Sequence, residues 1–323
     1  MSPFFKIQIM QQRNIRRRKT EEIIVVNLLK LSGLVSIGTT IGIIFVLGSQ
    51  SIPFFGTVSI KEFFTGLNWT PLFVPQEFGV MPLINGTFMV AIIAALVALI
   101  FGLGSAFFLS EYASRKVRSY VKPLLEILAG IPTVVYGYFA LTFVTPIIQY
   151  IAPETIIFNA LSAGIVMGIM IIPMVSTLSE DAMSAVPRSL REAAYSLGAK
   201  KYQVALRVVF PSAISGIVAS FILSISRAIG ETMIVSLAAG GKPALTLNPL
   251  EAIQTITAYI VTVSQGETPQ GSIEYQSIFA VGLLLFFLTL IMNLIGRWVV
   301  YKYAQEYESV SYTHLTLPTN REV

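Results

Sequence analysis

The chain has 323 residues, 54% of them hydrophobic and only 12% charged, about half the ~25% charged fraction of soluble domains. That balance excludes an ordinary cytosolic enzyme, and it excludes a disordered chain, because so much Ile, Leu, Val and Phe must be buried or solvated by lipid. Cysteine is absent and the net charge is +5; disulfides, thiolate nucleophiles and Cys-based metal sites are therefore ruled out, and no nucleic-acid role is expected.

Six segments are apolar over the roughly 20 residues that a bilayer-spanning helix needs. The chain opens on a basic segment, residues 1–22, with Lys6, Arg13, Arg16, Arg17, Arg18 and Lys19. The first span, about 23–47, exceeds the ~7–15 apolar residues of a signal peptide and is followed by no small-x-small cleavage site, so it reads as an uncleaved anchor. Lys30 lies in its first two turns, where a long side chain snorkels to the headgroups. Gly38-x-x-x-Gly42 would let a neighbouring helix approach closely. The loop near 48–83 is rich in turn formers, among them Pro53, Gly66, Pro71 and Gly79, and Trp69 suits a membrane interface. Its composition fits docking of an extracytoplasmic protein and a plain connector equally.

The second span, 84–109, leads into a basic loop with Arg115, Lys116, Arg118 and Lys122. Near the inner end of the third, 124–148, Glu126 precedes Gly130, Thr133 and Gly137 on a small or polar face; we read it as an acid compensating a helix N-terminus. The fourth, 156–178, carries Gly164-x-x-x-Gly168 and runs into the 181–211 loop with Arg188, Arg191, Lys200, Lys201 and Arg207. After the fifth, 213–237, comes a second Gly- and Pro-rich loop, and after the sixth, 278–300, the flanking cations are Arg297 and Lys302. One alternate set of segments thus holds 17 Lys and Arg, whereas the opposite loops, near 48–83, 149–155 and 238–277, hold Lys61 and Lys242. The excess of cations marks the cytoplasmic side, so both termini are expected there. Residues 23–309 read as one six-span unit. The tail, 310–323, is polar and aperiodic, is similar to translated sequencing-adapter read-through, and carries the sole histidine, His314; it is set apart as non-native, and His314 with it.

Span five holds the chemistry. An ionisable residue at membrane depth costs at least ~2.5–3.5 kcal/mol on insertion scales and is by default a functional candidate. Arg227 and Glu231 are four residues apart, on one face of a continuous helix and within reach of a salt bridge. Ser220 and Ser224 extend the same stripe, all four within an arc of about 60° at 100° per residue. Arginine stays protonated and offers a planar fork of donors that matches the oxygens of a carboxylate or phosphate, so the stripe points to an anion pathway. Glu231 neutralises Arg227 while the pore is empty, and an arriving oxyanion competes for the guanidinium. A buried ion pair that merely joins two helices is the other reading of these residues.

Glu192, Ala193, Ala194 and Gly198, followed by Val208, Phe210 and Pro211, resemble the EAA-x3-G-x9-I-x-L-P loop of ABC importer permeases. The departures, Val for Ile and Phe for Leu, keep both positions apolar. In that family the loop is a short helix that inserts into a groove of the ATPase subunit. Here the small face permits close approach, Glu192 supplies a charge and Gly198 allows the turn out of the helix.

Three further runs narrow the resemblance: Ala129-Gly130-Ile131-Pro132-Thr133-Val134-Val135-Tyr136-Gly137, Ser179-Glu180-Asp181-Ala182 and Arg227-Ala228-Ile229-Gly230-Glu231-Thr232-Met233. They are similar to permease subunits of the high-affinity phosphate ABC importer, of the PstC type more than the sister PstA type. The resemblance spans about 300 residues, from span one to span six. It implies an all-α membrane protein with the type I ABC importer permease fold, six transmembrane helices and cytoplasmic termini, in a prokaryotic inner membrane. It also implies a sister permease as heterodimer partner, two ATPase subunits and an extracytoplasmic phosphate-binding protein docking on the outer loops. No G-x-x-x-x-G-K-[ST] cradle is present; Gly240-Gly241-Lys242 is followed by Pro243 and preceded by Ser236 where the first Gly belongs. The expectation is therefore a non-catalytic subunit without cofactor or metal of its own, ATP and Mg being bound by the ATPase. Rival expectations are a permease for another oxyanion, such as molybdate or sulfate, and an ATP-independent anion carrier.

Overall fold

The computed structural model describes residues 3–266 and 268–303, with side chains between residues 22 and 302. The tail 310–323 lies outside these residues, as do the side chains of the basic N-terminal segment. The described chain is almost wholly helical: α1 (Pro3–Thr57), α2 (Ile60–Thr65), α3 (Met81–Tyr112), α4 (Arg115–Gly130), α5 (Thr133–Ile151), α6 (Ala160–Ser184), α7 (Arg188–Ser196), α8 (Lys201–Ile229), α9 (Met233–Ala238), α10 (Ile256–Gln265) and α11 (Ile273–Tyr303). Six of them are long and apolar enough to cross a bilayer: the Glu22–Thr57 part of α1, then α3, α5, α6, α8 and α11.

α6 is the central helix. Its neighbours α3 and α8 pack against it along most of its length, and its own residues from Ala160 to Met183 are largely buried. Small residues permit this. A Cβ at Gly164 would meet Ile93 Cβ at 2.6 Å, and one at Gly168 would meet Val97 Cβ at 2.5 Å. The Gly164-x-x-x-Gly168 face is thus the seat of α3, as the spacing predicts. Gly38 and Gly42, by contrast, have nothing within 4 Å, and among the long helices the described part of α1 packs chiefly on α11.

Four single π-turns interrupt the spans, at Leu99–Leu103, Phe108–Tyr112, Ala140–Val144 and Ala205–Val209. Two precede prolines, Pro146 and Pro211. A proline ring clashes with the carbonyl four residues back, here that of Thr142 and of Arg207, and a widened turn relieves the clash while keeping the helix in the membrane.

The loop near 48–83 is a small folded cap. Phe54, Phe63, Trp69, Phe78 and Tyr259 are buried together, and Trp69 meets Tyr259, Phe78 and Phe63 edge to face at centroid distances of 5.0, 6.0 and 6.2 Å. The expectation that Trp69 marks the membrane interface is corrected: it is 1% exposed, because an antiparallel bridge to Phe78 turns its ring inward. Gly66 and Gly79 make that fold possible, since a Cβ on Gly79 would fall 2.2 Å from the Gly66 carbonyl carbon. The second outer loop is also anchored. Asn85 Nδ2 donates to the Thr246 carbonyl at 2.7 Å, and Thr87 Oγ1 accepts from Ile256 N–H at 3.0 Å.

Candidate functional site

The third and fifth spans are not the continuous helices expected from hydropathy. Pro132 has no N–H and drives the residue before it out of the helical region; Ile131 is extended, with φ −66° and ψ 129°. α4 therefore stops at Gly130, and the membrane-crossing helix α5 starts at Thr133. Tyr136 Oη donates across the gap to the Leu128 carbonyl at 2.7 Å, satisfying one acceptor that the break sets free. In the fifth span α8 ends at Ile229, Gly230 turns, and α9 restarts at Met233. The two breaks are neighbours: a Cβ on Gly137 of α5 would meet Leu237 Cδ1 of α9 at 2.9 Å and the Met233 carbonyl oxygen at 3.2 Å.

This break overturns the expected Arg227–Glu231 helical pair. Glu231 lies past the end of α8, and no ion pair joins the two residues among those described. Glu231 Oε1 instead accepts the Met233 N–H at 3.1 Å, and its carbonyl accepts from Thr257 Oγ1 at 2.7 Å. The physical reason is local. Interrupting a helix frees the first N–H groups of the segment that follows, and the carboxylate caps one of them.

Arg227 occupies the last turn of α8, where a cation complements the helix dipole. It is exposed and lines a cavity of about 150 Å³ with Glu126, Thr177, Leu125, Met170 and Pro173. Glu126 is a second correction. It sits one turn before the C-terminal end of α4, where an acid opposes the dipole, so compensation of an N-terminus does not account for it. The acid sharing space with Arg227 comes from α4, not from the following turn of its own span.

Ser220 and Ser224 are 1% and 0% exposed and so do not continue an open face with Arg227 in this conformation. Ser220 Oγ donates to the Ile217 carbonyl and accepts from Ser179 Oγ, both at 2.7 Å, tying α8 to α6. The hydroxyls of Ser176, Ser224 and Ser226 are buried without a hydrogen-bond partner among the described residues.

The EAA-type loop folds into α7 with Glu192 and Ala193 exposed and Ala194 packed inward. Gly198 has φ +79°, a left-handed conformation that ends the helix; its N–H donates to Tyr195 at 2.9 Å and that of Ala199 to Ala194 at 3.2 Å. Leu197 is 89% exposed and Tyr195 also projects, leaving an amphipathic knob on the cytoplasmic side. Pro211 follows the last π-turn and begins the apolar part of α8.

Beneath the knob lies a charge network of which the sequence reading held Arg118, Lys122 and Arg191 only as topology markers, Glu180 only as part of a motif, and Glu111 not at all. Arg191 donates to the Met183 carbonyl at 2.7 Å, the Val186 carbonyl at 2.5 Å and Glu111 Oε1 at 3.0 Å. Glu180, 2% exposed in its side chain, lies 2.5 Å from Lys122 Nζ and 3.6 Å from Arg118 Nε. Arg118 in turn donates to the Leu109 carbonyl at 2.5 Å and the Ser110 carbonyl at 3.2 Å. One network thus joins α7 to the inner ends of α3, α4 and α6. The signal for it was an acid, Glu180, at the end of an apolar span.

Comparison with known proteins matches residues 98–305 to the binding-protein-dependent transport system inner membrane component family. The probable ABC transporter permease protein YqgH of Bacillus subtilis is 34% identical over 268 residues, 82% of this chain and 86% of that protein. The phosphate transport system permease protein PstC of Xylella fastidiosa Temecula1 is 32% identical over 265 residues, covering 76% and 80%; that of Haemophilus influenzae is 30% identical over 280, covering 80% and 86%. The fold is that of a chain of the bacterial alginate ABC transporter, TM-score 0.55 at 17% identity over 84% of this chain and 94% of that one. A chain of the inward-facing MetNI methionine ABC transporter gives 0.53 at 16% over 68% and 94%. With six membrane-spanning helices in that fold, the chain is a multi-pass inner-membrane protein and belongs to the family of binding-protein-dependent transport system inner membrane components, as a permease of the PstC type.

Proposed function

We propose that the chain is the membrane-spanning subunit of an ATP-driven importer of inorganic phosphate, and that phosphate passes Arg227. The observation that carries this reading is a guanidinium at the end of an interrupted span, without an ion-pair partner among the described residues, facing a cavity it shares with Glu126. Interrupted helices are where transporters commonly bind substrate in mid-membrane, and the arginine fork matches phosphate oxygens. Glu126 accepts a hydrogen bond from a protonated phosphate oxygen, while Glu231 tunes the site by capping α9 and so holding the break in place. Ser220 and Ser224 serve the same route when α6 and α8 separate and free their hydroxyls.

The driving machinery lies on other chains. The partners are a sister permease in a heterodimer, two ATPase subunits that bind ATP and Mg, and an extracytoplasmic phosphate-binding protein over the outer cap. Glu192, Ala193, Ala194 and Gly198 form the ATPase-docking helix, and Pro211 starts the span that answers its movement. Arg227→Gln in the assembled complex is expected to lower phosphate uptake at limiting phosphate by at least tenfold, as loss of a charge-assisted bidentate contact requires. Unchanged uptake would sink the pathway reading. Competition by sulfate and molybdate, each expected to be weak, separates phosphate from other oxyanions.

A further inference from the structure

On the cytoplasmic half of the molecule α8 and α11 diverge around a cavity of about 670 Å³. Gly296 brings the two helices together at one point, since a Cβ there would meet Ile222 Cγ2 at 2.8 Å; around that point the helices enclose a groove. Its walls are Ile222, Leu223, Leu290 and Leu294, and its polar groups are Asn293 and Arg297. The volume lies in the ~300–1,000 Å³ range of small-molecule sites.

Depth is set by neighbouring residues. Trp298 is 58% exposed with Lys302 Nζ 4.8 Å over its ring, the aromatic–cation pairing that belongs to a headgroup layer. Arg297 is exposed next to it and has no hydrogen bond or ion pair among the described residues. An apolar groove that opens at headgroup depth beside an unpaired guanidinium is complementary to one molecule class: an acyl chain ending in a phosphate.

We propose that this groove binds an anionic glycerophospholipid of the inner leaflet, with an acyl chain between α8 and α11, the phosphate on Arg297 and the glycerol ester on Asn293. A helix of a partner protein would have to bring its own acid to this depth, whereas the inner leaflet supplies phosphate there and is negatively charged. Bound lipid separates the Ala219–Leu223 part of α8 from the inner half of α11, so the site connects lipid composition to the span that follows α7. The proposal does not depend on which solute is transported.

The test uses the complete complex, purified from membranes and reconstituted in nanodiscs of phosphatidylcholine with increasing phosphatidylglycerol. Native mass spectrometry should find phosphatidylglycerol retained by the wild type, phosphatidylcholine not retained, and Arg297→Gln weakening retention about tenfold through loss of the charge-assisted contact. Leu294→Trp keeps the charge and fills the groove, and should lower retention as well; Leu294→Phe replaces it if the larger residue blocks assembly. Equal retention by wild type and Arg297→Gln would overturn the proposal. So would a complex in which Arg297→Gln detaches the sister permease while the lipid count is unchanged, since the groove would then hold protein.

Discussion

The two ends of the molecule are held by different forces. At the outer end Phe54, Phe63, Trp69, Phe78 and Tyr259 form a dry aromatic cluster, and Gly79 lies against the Gly66 backbone with no space for a methyl group. At the inner end Arg191, Glu111, Glu180, Lys122 and Arg118 form a half-buried ionic network. Close packing favours one arrangement and resists intermediate ones. Ion pairs and carbonyl contacts are different: they are directional, and the same donors can find new acceptors when a helix moves. The outer cap is built to keep its shape, and the inner network is built to be rearranged by whatever grips α7.

The largest effect that would test this contrast is at the cap. Trp69→Ala removes a side chain that is 1% exposed and touches three aromatic rings, and should cost about 3–5 kcal/mol, the range for Trp or Phe to Ala in a core. Thermal unfolding of the purified complex measures it. A loss below about 1 kcal/mol would show that the cap is loosely packed and would dissolve the comparison.

Next in size is Arg191→Met, which leaves Glu111, 6% exposed in its side chain, without its cation. Breaking a fully buried pair costs about 3–5 kcal/mol, and with Arg191 itself 17% exposed a loss near the lower end, about 3 kcal/mol, is expected. Glu111→Gln should cost less, about 1.5 kcal/mol, because Arg191 keeps its contacts with the Met183 and Val186 carbonyls. The readout specific to coupling is phosphate moved per ATP hydrolysed. Both variants should lower that ratio, whereas Trp69→Ala should lower the amount of folded complex and leave the ratio alone.

The six spans were legible because each is a run of apolar residues longer than a soluble helix uses, and the 17 inner cations oriented them. The EAA-type helix was legible through Gly198, whose left-handed turn demands that residue. The breaks were not read, although Ile131-Pro132 and Gly230 are ordinary breaker signals, because a window of about 20 residues averages across a two-residue interruption. Reading span five as one helix then placed Glu231 beside Arg227, and reading span three as one helix placed Glu126 at an N-terminus. The Glu111–Arg191 pair is out of reach for any local pattern, since its members are 80 positions apart. Trp69 failed for a related reason: amphipathic composition suggests an interface, and only the bridge to Phe78 reveals that the ring points inward.

The smallest effect on the packing of the spans belongs to Gly198→Ala, and it sharpens the contrast between the two ends. Gly79 must be glycine for lack of space, whereas a Cβ on Gly198 would meet nothing within 4 Å. The cost there is conformational alone: an L-residue held at φ +79° loses about 1–2 kcal/mol. The strain can be relieved by unwinding the Leu197–Ala199 turn, because α7 is exposed on its outer face, so the fold of the spans should survive. What should change is the angle at which Leu197 and Tyr195 project, and with it the grip on α7 that the proposed function gives to the ATPase. The expected outcome is a complex of near-normal thermal stability whose ATPase activity is no longer stimulated by the binding protein. Full stimulation together with full transport would show that the turn at Gly198 does not carry the movement and would shift that role to the Arg191 network, which the Arg191→Met measurement addresses.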